Sequence, residues 1–176
     1  MSGDILIVDD EKDIRLLISA TLEDEGFVAL EASNAREARE HLVSRPPSCV
    51  ILDIWMRDSD MDGLELLSWC RSLYPDLPVV MISGHGTIET AVQALHVGAY
   101  DFIEKPFKAE RLLLTVNRAI QTAKLERENS DLRARNQDVS VLDLVGQSAS
   151  MKAVKIGVDK LATDSSRVLI QGGDGT

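Results

Sequence analysis

Acidic, hydroxyl and amine side chains end apolar runs at four places along this chain. Asp9 and Asp10 follow Ile5-Leu6-Ile7-Val8, Asp53 follows Val50-Ile51-Leu52, Ser83 follows Val80-Met81-Ile82, and Glu104-Lys105 follows Phe102-Ile103. If the aspartates meet, their charges repel, so either some stay protonated or a cation holds them together. A cation is the simpler solution, and hard carboxylate oxygens suit magnesium with retained waters. A carboxylate beside such an ion can attack phosphorus, with a hydroxyl and an ammonium binding the phosphoryl oxygens as charge develops. Taken singly, each residue has a plainer use. Asp10 can cap the helix that follows it, with Asp13 favourable to the helix dipole, and Ser83 or Lys105 can be structural. Their joint occurrence at successive run ends is what points to chemistry.

The elements that would bring these residues together are legible in the pattern. Asp4 to Val8 reads as a buried parallel strand, and Ile14, Leu17, Ile18, Thr21 and Leu22 recur at helical spacing before a stop at Gly26. Phe27 to Glu31 predicts a second strand. Asn34 can cap a helix carrying Ala38 and Leu42, closed by Pro46-Pro47. Cys49 to Leu52 is a central strand, followed by a helix over Gly63 to Leu73 with Leu64, Leu67 and Cys70 on one stripe. Val79 to Ile82 is the fourth strand, and Ile88, Ala91, Val92 and Leu95 mark a fourth helix that stops at Gly98. Tyr100 to Ile103 and the segment from Lys108 onward supply the fifth pair, the last helix burying Leu112, Val116, Ile120 and Ala123. Alternation of this kind argues for an α/β fold, a doubly wound five-stranded parallel sheet flanked by five helices. Ligands in such sheets bind at the carboxyl ends of the strands, near the switch point in strand order, which places all four run ends on one rim.

The motifs Ile-Leu-Ile-Val-Asp9-Asp10-Glu11, Val-Ile-Leu-Asp53, Val-Val-Met-Ile-Ser83-Gly84 and Asp-Phe102-Ile-Glu-Lys105-Pro106-Phe107 resemble those of the receiver domains of two-component response regulators, over roughly Asp4 to Ala123. That resemblance implies a flavodoxin-like fold of the receiver type and a phosphorylation-dependent switch rather than a turnover enzyme. It makes Asp53 the phosphoacceptor, served by a sensor histidine kinase. Asp10, Asp53 and the Trp55 carbonyl would ligate magnesium, for which manganese can substitute, with Asp9 acting largely through water. The Ser83 hydroxyl would turn toward the phosphoryl group and Phe102 move inward behind it. Lys105-Pro106 is expected to be a cis peptide. A homodimer through the fourth helix, fifth strand and fifth helix is the expected output.

The segment after Asp53 departs from the family pattern. Trp55-Met56-Arg57-Asp58-Ser59-Asp60-Met61 precedes Asp62-Gly63, a loop two residues longer than usual that lacks the usual proline. A solvated acidic loop and a modifier of metal access or phosphate lifetime are the two readings of Arg57, Asp58 and Asp60. Past Ala123 the pattern turns polar, so residues 124–140 read as a helical linker, continuing the fifth helix, in which Leu125 and Leu132 stand a heptad apart. Asn129 and Asn136 weaken that seam. Residues 141–176, from Leu144-Val145-Gly146 to Gln171-Gly172-Gly173-Asp174-Gly175-Thr176, resemble the opening of the AAA+ ATPase domain of NtrC-class activators. The glycine loop marked by Gly172 and Gly175 stops before its lysine, so a truncated, poorly ordered domain that binds no ATP is expected. The combination looks most like the NtrX branch of nitrogen-responsive regulators, which implies transcriptional control exerted on DNA only through domains absent here.

Bulk properties narrow the field. The 176 residues carry a net charge of −10 with a pI near 4.7, so no uniformly basic surface exists to neutralise nucleic-acid phosphates. No apolar run approaches the roughly 20 residues that span a bilayer, so the expectation is a cytoplasmic protein without a membrane partner. Cys49 and Cys70 read as buried thiols, and His41, His85 and His96 as surface residues without metal spacing. Two other functions stay open at this point: a pseudo-receiver that only binds proteins, and an aspartate-nucleophile phosphatase. The phosphatase pattern places Asp-x-Asp at the first strand, a spacing that Asp9-Asp10-Glu11 lacks.

Overall fold

The structure, a computed structural model, describes residues 3–57, 59–84 and 87–137, with side chains described as far as Arg133. Five strands, β1 (Asp4–Val8), β2 (Val28–Ala32), β3 (Cys49–Asp53), β4 (Val79–Ser83) and β5 (Asp101–Glu104), alternate with five helices. These are α1 (Lys12–Asp24), α2 (Ala35–Ser44), α3 (Gly63–Leu73), α4 (Ile88–Val97) and α5 (Ala109–Gln137). All strand pairs are parallel, in the order β2-β1-β3-β4-β5. Strand order reverses between β1 and β3, which opens a crevice at their carboxyl ends. Residues assigned to the chain's second compact unit, 129–176, enter the description only as the last turns of α5.

Alternate residues of each strand feed two separate cores, which is why the strands read as unbroken apolar runs. Leu6, Val8, Val50, Leu52, Val79 and Met81 pack with α2, α3 and Ala94 of α4 on one face. Ile5, Ile7, Ile51, Val80, Ile82 and Ile103 pack with Ile18 and Leu22 of α1 and Leu112, Val116 and Ala119 of α5 on the other. Cys49 and Cys70 are buried as expected, and burial pushes both thiols up to about 12.

Helix ends follow local chemistry. The Asn34 side chain accepts the Glu37 amide at the start of α2, and Asp62 and Glu65 form a reciprocal capping box at the start of α3. Gly98 closes α4 in the left-handed region at φ 113°. The N-cap of α1 is Glu11, so Asp10 does not serve as the cap it could have been.

The bounds of two strands and the buried stripe of α5 differ from expectation, and α1 and α4 expose some of the apolar residues that mark their helical spacing. β2 and β5 begin and end one residue later than their patterns suggest. Leu17 is 57% exposed, because Ser19 rather than Leu17 joins Ile18 and Leu22 on the buried side of α1. Along α4 only Ala94 is buried, and Ile88, Val92 and Leu95 face outward. In α5, Ala119 is buried where Ile120 is only partly so, and Ala123 is the last buried residue before an exposed stretch running through Arg133.

One glycine joins the fold to the rim. A Cβ on Gly63 would lie 2.1 Å from the Asp53 carbonyl oxygen and 2.7 Å from the Ile54 Cα, both backbone atoms. Gly63→Ala is therefore expected to lower stability by about 3 kcal/mol, the upper end for overpacking. Gly26→Ala, at φ 82° with open space around it, should lose only about 1 kcal/mol, both values being read from urea unfolding.

Candidate functional site

The carboxyl ends of β1 and β3 bring Asp9, Asp10 and Asp53 together, with one carboxylate oxygen of each lying within 4.8 Å of the others. Asp9 is fully buried and Asp53 only 4% exposed. Lys105, from the end of β5, reaches across β4 to place its Nζ 2.7 Å from Asp9 Oδ2 and 3.1 Å from Asp53 Oδ2, with Glu11 Oε1 at 3.6 Å. The Lys105 amide donates to the Ser83 carbonyl at 2.8 Å, and the Lys105-Pro106 bond is cis. Ser83 is buried at the end of β4 in register with Glu104, while Ile82 pairs with Asp53. Phe102, half-buried on β5 and paired with Met81, packs against the core layer beneath α4.

Each acidic oxygen has a distinct environment. Asp9 Oδ1 accepts the Glu11 amide at 2.8 Å, and Asp10 Oδ2 accepts the Arg57 amide at 3.2 Å. Asp53 Oδ1 is buried and, among the described residues, has no hydrogen-bond partner. An unsatisfied buried acceptor of this kind costs about 1–3 kcal/mol, more when charged. Burial pushes the Asp53 carboxyl up to about 6, with the Asp9 charge adding to the rise and Lys105 opposing it. Burial likewise raises Asp9, against the pull of Lys105 and the Glu11 amide. For Lys105, burial works against the ammonium, but the hydrogen bond to Asp9 and the field of Asp53 outweigh it and the pKa is raised.

Three carboxylates around one ammonium leave an excess of negative charge at the mouth of a cavity of about 250 Å³ lined by Asp10, Glu11, Asp53, Trp55, Arg57, Gly84 and Lys105. A hard divalent cation fits this donor set: it would satisfy the orphaned Asp53 oxygen and offset the burial that holds Asp9 and Asp53 above their ordinary range. Trp55 is exposed at the rim, next to the loop that leads to α3. That loop leans on α2, where Ser59 Oγ accepts the Ala35 amide at 3.1 Å and Asp60 pairs with Arg39. Asp60 is thus committed away from the carboxylate cluster. Asp58, His85, Gly172 and Gly175 lie outside the described residues.

Two features of the site were not read from sequence. Glu11 approaches Lys105, and Arg15 donates to the backbone carbonyls of Asp9 and Asp10 while pairing with Glu31. The Arg15 contacts are made to main-chain atoms and to a neighbouring strand, so no side-chain spacing announces them.

A β2-β1-β3-β4-β5 parallel sheet with an acidic cluster at its switch point and a lysine from the last strand defines the class: the chain belongs to the response regulator receiver domain family, whose profile matches residues 5–117. Among its relatives, the chain is similar to the nitrogen assimilation regulatory protein NtrX of Azorhizobium caulinodans, 47% identical over all of this chain and 38% of that protein. It is also similar to the crystal structure of the receiver domain of NtrX from Brucella abortus, at 55% identity and TM-score 0.66, covering 68% of this chain and 99% of that one. The solution structure of the beryllofluoride-activated NtrC4 receiver domain dimer is 40% identical with TM-score 0.65, covering 68% of this chain and 98% of that one. The chain spans about a third of the length of the curated relatives it matches. Among the described residues, no helix is long and apolar enough to cross a membrane.

The raised carboxyl carries a pH dependence of defined sign. Asp53 moves from an ordinary 3.8 to about 6, so the folded state holds its proton more tightly than the unfolded state does. The stabilisation from that proton is complete below pH ~4 and is lost as pH rises through ~6, a difference on the order of 3 kcal/mol. In chelator, Asp53→Asn should therefore be more stable than the parent chain at pH 7.5 and indistinguishable from it near pH 4, measured by urea unfolding.

Proposed function

We propose that this chain is the phosphoacceptor switch of a two-component system, in which Asp53 takes a phosphoryl group from a phosphohistidine on a sensor kinase. The observation that carries the reading is the cluster of three carboxylates in which the buried Asp53 Oδ1 has no hydrogen-bond partner among the described residues while Lys105 binds Oδ2. A carboxylate oxygen of Asp53 attacks phosphorus, an O–P bond forms, the P–N bond breaks, and its electron pair leaves with the imidazole nitrogen. Asp10, Asp53 and the Trp55 carbonyl would hold magnesium, or manganese in its place, and Asp9 would act through water. When bound, the ion supplies positive charge to the transferring phosphoryl oxygens. Lys105 and the Ser83 hydroxyl bind those oxygens, and Phe102 follows Ser83 inward.

The same reading covers organisation and output. It divides the chain into a receiver over residues 1–123, a helical linker over 124–140 and the opening of an AAA+ domain over 141–176. The relatives' names support a nitrogen-related transcriptional regulator of the NtrX branch that acts on DNA, and the reading makes it cytoplasmic and regulatory rather than a turnover enzyme, with the DNA contacts made by further domains. The outward apolar residues of α4, with Ile88 85% exposed, together with Tyr100 and Leu114, supply a surface on which two copies can meet through α4, β5 and α5. The beryllofluoride-activated NtrC4 receiver is a dimer, which supports self-association of this chain.

Incubation with magnesium and acetyl phosphate should add one phosphoryl group to the chain by intact mass, and Asp53→Ala should add none; labelling that survives Asp53→Ala would sink the assignment. Beryllofluoride with magnesium should shift sedimentation toward a dimer. Ile88→Asp should keep beryllofluoride binding and lose that shift; an unchanged shift would place the interface elsewhere.

A further inference from the structure

The Arg15 guanidinium, in the first turns of α1, is 13% exposed, and its Nη1 donates to the Asp9 carbonyl at 2.8 Å and to the Asp10 carbonyl at 3.2 Å. Both carbonyls lie ahead of the helical ladder, which starts where the Arg15 amide donates to the Glu11 carbonyl at 3.1 Å. Glu31, near the end of β2, accepts Arg15 Nε at 3.3 Å, and Ser19 Oγ holds the other carboxylate oxygen at 2.9 Å. The planar guanidinium fork can serve three acceptors at once from a fixed geometry, which a lysine ammonium on a flexible stem does not reproduce.

The two carbonyls belong to the peptide planes on either side of the Asp10 Cα. Since each peptide unit is rigid, fixing both planes fixes φ and ψ of Asp10 and hence the direction of its Cβ. We infer that Arg15 is a positioning residue: held by Glu31 and Ser19, it locks the backbone around Asp10 and aims the Asp10 carboxylate into the cluster with Asp53. The inference rests on the reading of that cluster as a magnesium site. Glu31 balances the Arg15 charge, so the effect is one of geometry rather than of field.

Magnesium binding by the full chain, followed by the fluorescence of Trp55 in the pocket wall and by calorimetry, separates the possibilities. Arg15→Ala should bind magnesium about tenfold more weakly or worse, the usual loss when an outer-shell partner is removed. Arg15→Lys should fall between it and the parent. Glu31→Gln, which keeps an acceptor for Nε and removes the balancing charge, should stay within about twofold of the parent. Parent-like affinity in both Arg15 variants overturns the inference, as does a loss in Glu31→Gln as large as that in Arg15→Ala. Hydrogen exchange at the Glu11 amide in metal-free protein gives an independent readout, since that amide bonds Asp9 Oδ1. It should quicken in Arg15→Lys even if Arg15→Ala does not fold, and an unchanged rate counts against the locking role. Absence of magnesium binding by the parent overturns the proposed function instead, and the exchange rates still decide whether Arg15 holds this loop.

Discussion

The Lys105 ammonium between Asp9 and Asp53 is the constraint around which the rim is organised. Two buried carboxylates this close repel strongly in a low-dielectric setting, and removing the one cation between them would leave uncompensated buried charge. Even with Lys105 in place the balance is incomplete, because burial still holds both acids above their ordinary range. A core built only for stability would not keep such a group. The arrangement makes sense as a site waiting for more positive charge, and Asp53 Oδ1 is the atom left to receive it.

The sheet makes that contact possible by topology alone. β1 and β3 are neighbours at the switch point, so Asp9 and Asp53 meet although they lie 44 positions apart in sequence, and β5 lies two strands away from β3, within the reach of a lysine stem. Gly63 then brings α3 hard against the end of β3, since its amide donates to the Ile54 carbonyl at 2.9 Å and no side chain fits between. The loop carrying Trp55 and Arg57 is thereby bounded on one side by the strand and on the other by α2. Packing and chemistry are consequently not separable at this rim: the residue that closes the helix against the strand also limits where the Asp53 backbone can go.

How much of this was legible from sequence depended on how each residue is held. β3 and β4 are buried on both faces, so Val50-Ile51-Leu52 and Val79 to Ile82 declare themselves, whereas the edge strands β2 and β5 mix exposed Val28 and Glu104 into their patterns and were misplaced by one residue. Leu17 shares the helical spacing of Ile18 and Leu22 yet is exposed. The structure gives its place to Ser19, whose hydroxyl is bound by Glu31 across the α1 to β2 packing, and hydrophobic periodicity carries no signal for a buried polar pair. The aspartates, Ser83 and Lys105 are legible because each lies at or just past the end of an apolar strand. Arg15 was not, because its partners are carbonyl groups that every residue possesses.

The two faces of the sheet are held unequally, and the difference bears on how a local change could travel. On the α1 and α5 side, Ile18, Leu22, Leu112, Val116 and Ala119 are all buried, and Arg15 and Lys105 tie that side to the acidic rim. On the other side α4 buries only Ala94, so little apolar area opposes its displacement, and it follows directly after β4, whose last residue is Ser83. Phe102 packs against the same core cluster from β5, three positions before Lys105. Lys105 is in direct contact with Asp53, and α4 is the helix near this rim with the least buried apolar surface. Ile88, Val92 and Leu95 are exposed on this helix, so displacing it would cost little buried apolar area while moving an apolar surface.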